Sequence, residues 1–259
     1  MLNRMLCSIL RLATPALVFC AWALVASAQI TETTRTVDPK GLLIEVDALS
    51  LTVDRDGSER YTALAAGSTL VSKGLTSTWD VQVGFNFFIT QKIESRNFTD
   101  RNTGIGDVFF RTKWRFFEDE ETNTSVAVIP YFKVPTNSGG VGNDSVEGGV
   151  IVPWESELVG GLSLRTMAKL DVLRNADDNG YDTFWYTSAA LGWSLTRFLG
   201  LYGEVEVGKS TGDGGWRGTM GAGATLSISK GTRWDVAVYR GISSAAADWN
   251  PVVRVNFEF

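Results

Sequence analysis

Beyond residue 40, apolar and polar positions alternate with period two, and no stretch there keeps the i, i+3, i+4 spacing of an amphipathic helix. Val108, Phe110, Thr112, Trp114 and Phe116 fall on one face of an extended segment, with Phe109, Arg111, Lys113 and Arg115 on the other. Likewise Leu162, Leu164, Thr166, Ala168, Leu170 and Val172 oppose Ser163, Arg165, Met167, Lys169 and Asp171, and Val253, Val255, Phe257 and Phe259 oppose Val252, Arg254, Asn256 and Glu258. The pattern predicts about twelve strands, near 42–54, 58–72, 77–89, 105–117, 124–134, 146–155, 158–173, 182–195, 199–210, 216–229, 232–243 and 250–259. The first two alternate poorly, and a change of phase near Ala48 fits either a bulge or a miscounted pair of strands.

Two kinds of connection follow one another. Every second one is short (72–76, 196–198, 229–231), whereas most of the others are longer and rich in Gly, Asn and Asp (90–104, 135–145, 175–181, 210–215, 243–250). Tight turns at one end and long loops at the other predict an all-β chain, an up-and-down antiparallel barrel of about 12 strands that crosses a membrane. Closure has a physical reason, because an open sheet edge in hydrocarbon would leave backbone groups with no hydrogen bonds.

The tryptophans sharpen this reading. Trp79, Trp114, Trp154, Trp185, Trp193, Trp216, Trp234 and Trp249 all fall in the apolar register, toward one strand end or the other. Two aromatic belts around an apolar band suit a surface that meets both lipid–water boundaries. A soluble sandwich would bury its tryptophans, but it would not explain a charged register that persists over strands long enough to cross a bilayer.

Residues 1–28 read as a secretory leader: Arg4 and Arg11, an apolar stretch from Leu12 to Val25, then Ala26-Ser27-Ala28 before Gln29. The apolar stretch falls short of the roughly 20 residues of a spanning helix. Residues 29–40 are then expected either to hang in the periplasm or to fold into the lumen as a plug, and residues 41–259 to form the barrel. Both cysteines, Cys7 and Cys20, lie in the leader, so disulfides hold nothing in the mature chain. Its short turns and termini are expected on the periplasmic side, its long loops outside, and its place is the bacterial outer membrane.

The net charge of −5 becomes −7 without Arg4 and Arg11, which disfavours nucleic acid as a partner. The chain holds no histidine, and with it go the Ser-His-Asp and Cys-His constellations. No catalytic residue, metal ligand or cofactor is nominated. The charges of the inward register carry the candidate chemistry: Asp107, Arg111, Lys113, Arg115, Arg165, Lys169, Asp171, Glu204, Glu206, Arg233 and Arg254, with Asp235 and Glu258. Two arrangements suit them, a narrow water-filled pore whose charges set selectivity or a filled interior in which they pair. The narrow pore is the preferred expectation.

Val255-Asn256-Phe257-Glu258-Phe259 resembles the C-terminal signature read by the outer-membrane barrel-assembly machinery, with Phe257 and Phe259 as its apolar positions. From about residue 103 to the end the chain is also similar to an outer-membrane β-barrel family labelled as transporters of the meta-pathway of phenol degradation. Thr103-Gly104-Ile105-Gly106-Asp107, Ile129-Pro130 leading to Pro135-Thr136, and the hairpin tip 175–180 carry that similarity. The resemblance implies a barrel associated with uptake of hydrophobic or aromatic compounds, with outer-membrane lipid and the assembly machinery as partners.

Three further motifs have plainer explanations. Residues 203–210 match G-x-x-x-x-G-K-S, but their Glu-Val-Glu-Val centre is a strand, not a loop opening a helix. Asp177, Asp178, Asp182 and Asp213 sit among Asn and Gly, as tight hairpins require, without the downstream Glu of a calcium loop. Glu118 to Glu121 form a solvated acidic turn. The function expected is passive passage of small molecules, hydrophobic or aromatic ones included. A non-transporting structural or surface-binding barrel is the alternative, and an enzyme is disfavoured by the missing histidine.

Overall fold

Alternating residues can satisfy two environments at once only if the sheet has a wet or packed side and an oily side, and a sheet with no edges achieves this by closing. The computed structural model describes residues 29–175, 177–212 and 215–259 and shows that closure. The strands are β1 (Leu42–Asp56), β2 (Glu59–Thr76), β3 (Trp79–Glu94), β4 (Thr99–Gly104), β5 (Val108–Asp119), β6 (Thr124–Val134) and β7 (Glu147–Glu157). They continue as β8 (Leu162–Arg174), β9 (Tyr181–Ser194), β10 (Leu199–Ser210), β11 (Trp216–Ser229), β12 (Thr232–Gly241) and β13 (Trp249–Glu258). Each pairs antiparallel with its neighbours, and β1 pairs with both β2 and β13, with Leu43 opposite Glu258 and Val46 opposite Val255. At the seam Leu42 and Phe259 exchange both backbone hydrogen bonds, at 3.0 and 2.9 Å.

The barrel has twelve staves, because β4 and β5 share one. The lower half of β3 pairs with β5 and its upper half with β4, with 105–107 as the break between them. This corrects the expected loop at 90–104: β3 runs on to Glu94, and Thr99–Gly104 returns along it as a hairpin. These residues are polar on both sides, which hides a period of two. The turn expected at 72–76 lies at 77–78, and residues 159–161 form a 3₁₀ turn before β8. The phase change at Ala48 is a real irregularity, since the register with β13 skips from Asp47 to Leu49.

Orientation follows the predicted registers. Seven of the eight tryptophans among the described residues are well exposed on the outer face, and Trp154, in the same register, is partly covered. Val81, Val83, Phe110, Leu201, Val205, Val236 and Val238 lie exposed between the belts, while Asp47, Asp80, Lys113, Glu147, Asp171 and Asp235 are buried inside. The apolar exterior is what hydrocarbon requires. The poor alternation of β2 also has a cause: Tyr61, Ala63 and Ala65 face inward and pack with Ile89 under Val141, from a long loop folded into the mouth. Residues 203–210 lie within β10, so no phosphate loop forms. At the 175–180 tip the Asn175 side chain accepts the N–H groups of Asn179 and Gly180, and Arg174 Nε lies 2.7 Å from Asp178. These contacts are hairpin chemistry. The leader and Asp213 lie outside the described residues.

Candidate functional site

A charge inside a barrel needs a counter-charge or water, since an unpaired buried ion costs several kcal/mol. Residues 29–40 supply many of the partners. They run as an extended strap inside the barrel, from mid-height down to the end that carries the tight turns. Glu204, midway along β10, accepts the N–H groups of Ile30 (3.0 Å) and Thr31 (2.9 Å) and the hydroxyls of Thr31 and Tyr239. Thr31 Oγ1 also lies 2.8 Å from Ser188 Oγ on β9. On another part of the wall Glu32 Oε1 meets Arg111 Nη2 of β5 at 2.7 Å. The Thr33 hydroxyl donates to Glu155 of β7 at 2.8 Å, and Thr34 Oγ1 is 2.6 Å from Ser125 Oγ of β6. Lower still, Lys113 Nζ donates to the Arg35 carbonyl (3.2 Å), Arg35 pairs with Glu258, and the Val37 N–H donates to Asp80 (3.1 Å). Burial alone would raise the Glu32 carboxyl, but Arg111 and Lys113 outweigh it and hold the group below its ordinary value.

Most of the remaining candidates fall into pairs. Lys133 lies 2.9 Å from both Asp107 and Glu147. Asp107 also accepts the N–H groups of Thr136 (2.9 Å) and Asn137 (3.0 Å), so it pins the start of the long loop after β6 into the mouth. Lys169 pairs with Asp171, to which the Tyr131 hydroxyl donates. Arg165 bridges Glu155 (3.0 Å) and Gln29 (2.6 Å), and Arg254 bridges Asp47 (2.6 Å) and Glu45 (3.3 Å). Arg115 sits at the turn end, with Glu118 at 3.0 Å and the Ser77 carbonyl at 3.0 Å. Arg233 shares the inward register of Asp235 but is exposed near the same end. Thus the lower lumen is filled and paired, which departs from the preferred expectation of a narrow open pore. Of the two places that the sequence allows residues 29–40, periplasm or lumen, the strap occupies the lumen.

The upper lumen keeps a cavity of about 240 Å³. Ile30 and Glu32 of the strap form its floor. Val141–Asn143, with Ala245 and Ala247, from the two loops folded inward, form its roof. The wall mixes Phe109, Ile151 and Met167 with Arg111, Glu206 and Arg217. Room for the Tyr239 ring on this wall, and for the Tyr202 ring packed with it, comes from Gly221 and Gly223 of β11, where an added Cβ would collide with those rings.

Several groups that build this arrangement were not singled out from the sequence: Glu32, Asp80, Lys133, Glu147, Glu155 and Ser188. Lys133 and Glu147 share the inward register of their strands, so the period-two pattern could have found them. No comparable signal marks Glu32, because its segment has no pairing partner in a ladder.

A family model described as "Putative MetA-pathway of phenol degradation" matches residues 26–259. No curated protein matches the chain in sequence. Among solved structures, an outer membrane channel from Pseudomonas putida F1 is similar with a TM-score of 0.69 at 9% identity, covering 87% of this chain and 98% of that one. The transport unit of the autotransporter AIDA-I from Escherichia coli gives 0.58 at 10% identity, covering 94% and 98%. The NanC porin gives 0.52 at 10% identity, covering 81% and 99%. At such identities these likenesses speak for the barrel fold.

Proposed function

The chain belongs to the MetA-pathway of phenol degradation family, and from that membership and the lumen just described we propose that it is an outer-membrane channel whose N-terminal strap stoppers it at rest. The localisation is the bacterial outer membrane. The solutes are small molecules, hydrophobic and aromatic ones included, moving down their gradient without covalent chemistry. Our reading takes residues 1–28 as a leader removed at Gln29, the strap 29–40 as the stopper and 41–259 as the conduit. Phe257 and Phe259 would be the positions that the barrel-assembly machinery reads. The similar Pseudomonas protein is described as an outer membrane channel, and its printed description agrees with this role.

One observation carries the reading: a cavity under the loops ends on a strap held by hydrogen bonds and ion pairs to the wall, not by backbone pairing with any strand. Such contacts can exchange with water, whereas a ladder strand cannot leave without opening the barrel. The strap's charges would then serve as a latch more than as a permanent core.

The test compares a mature chain starting at Gln29 with one starting at Gly41, each reconstituted into liposomes loaded with a polymer too large to permeate. Swelling in small aromatic alcohols should be slow for the first and at least severalfold faster for the second. Equal, negligible swelling of both, with both folded, would return the molecule to the structural alternative.

A further inference from the structure

Arg111 is an unusual resident of the cavity wall. Its side chain is 8% exposed, yet its Nε and Nη2 have no aligned hydrogen-bond acceptor among the described residues, although Nη2 makes its 2.7 Å charge contact with Glu32. The distance satisfies Coulomb's law and the angle does not satisfy a hydrogen bond, so the guanidinium holds a counter-ion without using its planar fork. The cavity's other cations are differently placed. Lys133 is shared between two carboxylates, Lys169 lies 2.9 Å from Asp171, and Arg217 donates its Nε–H to the Ala245 carbonyl at 3.1 Å. Phe109, Ile151 and Met167 give the same space an apolar wall. At about 240 Å³ it is smaller than the roughly 300–1,000 Å³ of sites for drug-sized ligands, which suits a single ring.

Resting on the channel reading above, we propose that Arg111 is the headgroup site of the upper lumen, that it takes the carboxylate of a single-ring aromatic acid, and that this carboxylate displaces Glu32. A planar carboxylate can accept two parallel N–H bonds from the fork, an arrangement that Glu32, tethered at the strap, does not reach. The ring then lies against the apolar wall, which disfavours phosphate and other anions without an oily body. Because Glu32 belongs to the strap, the solute that binds also removes one of the strap's latches. Occupancy and opening are therefore coupled, and the coupling is reciprocal.

Calorimetry of the folded, detergent-solubilised barrel with benzoate, and separately with benzyl alcohol, tests this. Benzoate should bind, and Arg111→Gln should weaken it by about tenfold or more, the loss expected for hydrogen bonds to a charged group, while leaving benzyl alcohol unaffected. Glu32→Gln should tighten benzoate severalfold, since the competitor is gone, a direction that a merely structural role for the pair would not give. Benzoate affinity unchanged in both variants, or no benzoate binding at all, overturns the proposal. A barrel that binds benzoate in this pattern yet passes no solute would instead fail the channel reading alone.

Discussion

Glu32 and Arg111 meet although nothing in the chain between them announces it, and their contact sets a pH dependence. The Glu32 carboxyl is held below its ordinary 4.5. A lowered folded value means that its contribution to holding the strap is complete above pH 4.5 and is lost as pH falls through the depressed value. Conductance is therefore expected to stay low from neutral pH down to the ordinary carboxylate range and to rise only below it. In Glu32→Gln that acid step should vanish and the neutral-pH conductance should be higher. Glycine acts elsewhere in the lumen. Gly221→Val would push the Tyr239 ring off its seat and with it the hydroxyl that supports Glu204. Overpacking of this kind costs about 1–3 kcal/mol, to be read as a lower temperature for the loss of heat-modifiable migration on gels. Period two showed that these charges point inward, but it could not show which partner each would take. Pairing is decided across the barrel, by residues that sequence distance does not order.

Among the elements, the twelve staves were legible because hydrocarbon imposes a strict alternation wherever strand meets lipid. The alternation is absent where that constraint lapses. β4 projects past the apolar band, so Asp100, Arg101 and Asn102 carry no signal. The inner face of β2 is apolar because a loop packs against it, which blurred its period. That loop is held by Asp107 at the break between β4 and β5. Asp107→Ala should loosen the start of the loop and leave Lys133 with Glu147 and Asn143. The expected result is a folded barrel with faster proteolysis within 135–146 and a larger, noisier conductance than the parent. Proteolysis at the parental rate would remove Asp107 from that role.

For the molecule as a whole, the sequence told inside from outside but not filled from empty. A belt of tryptophans and a charged register are equally compatible with a pore and with a packed barrel, and the deciding residues lie in a strap that no ladder constrains. The assignment of outside can be checked independently. In vesicles of brominated lipid, tryptophan emission should be strongly quenched, because all eight share the outward register, while aqueous iodide should quench little. The converse pattern would place the apolar face in water or in a core. Movement of the strap has a more direct test, since residues 29–259 hold no cysteine. Thr34 and Ser125 bring their hydroxyls to 2.6 Å, so Thr34→Cys with Ser125→Cys can bolt the strap to β6. Single-channel recording in planar bilayers should show no openings with the bolt oxidised, and discrete openings like those of the unsubstituted barrel once a reductant is added. Openings of the same size and frequency in both states would contradict a stopper that has to move.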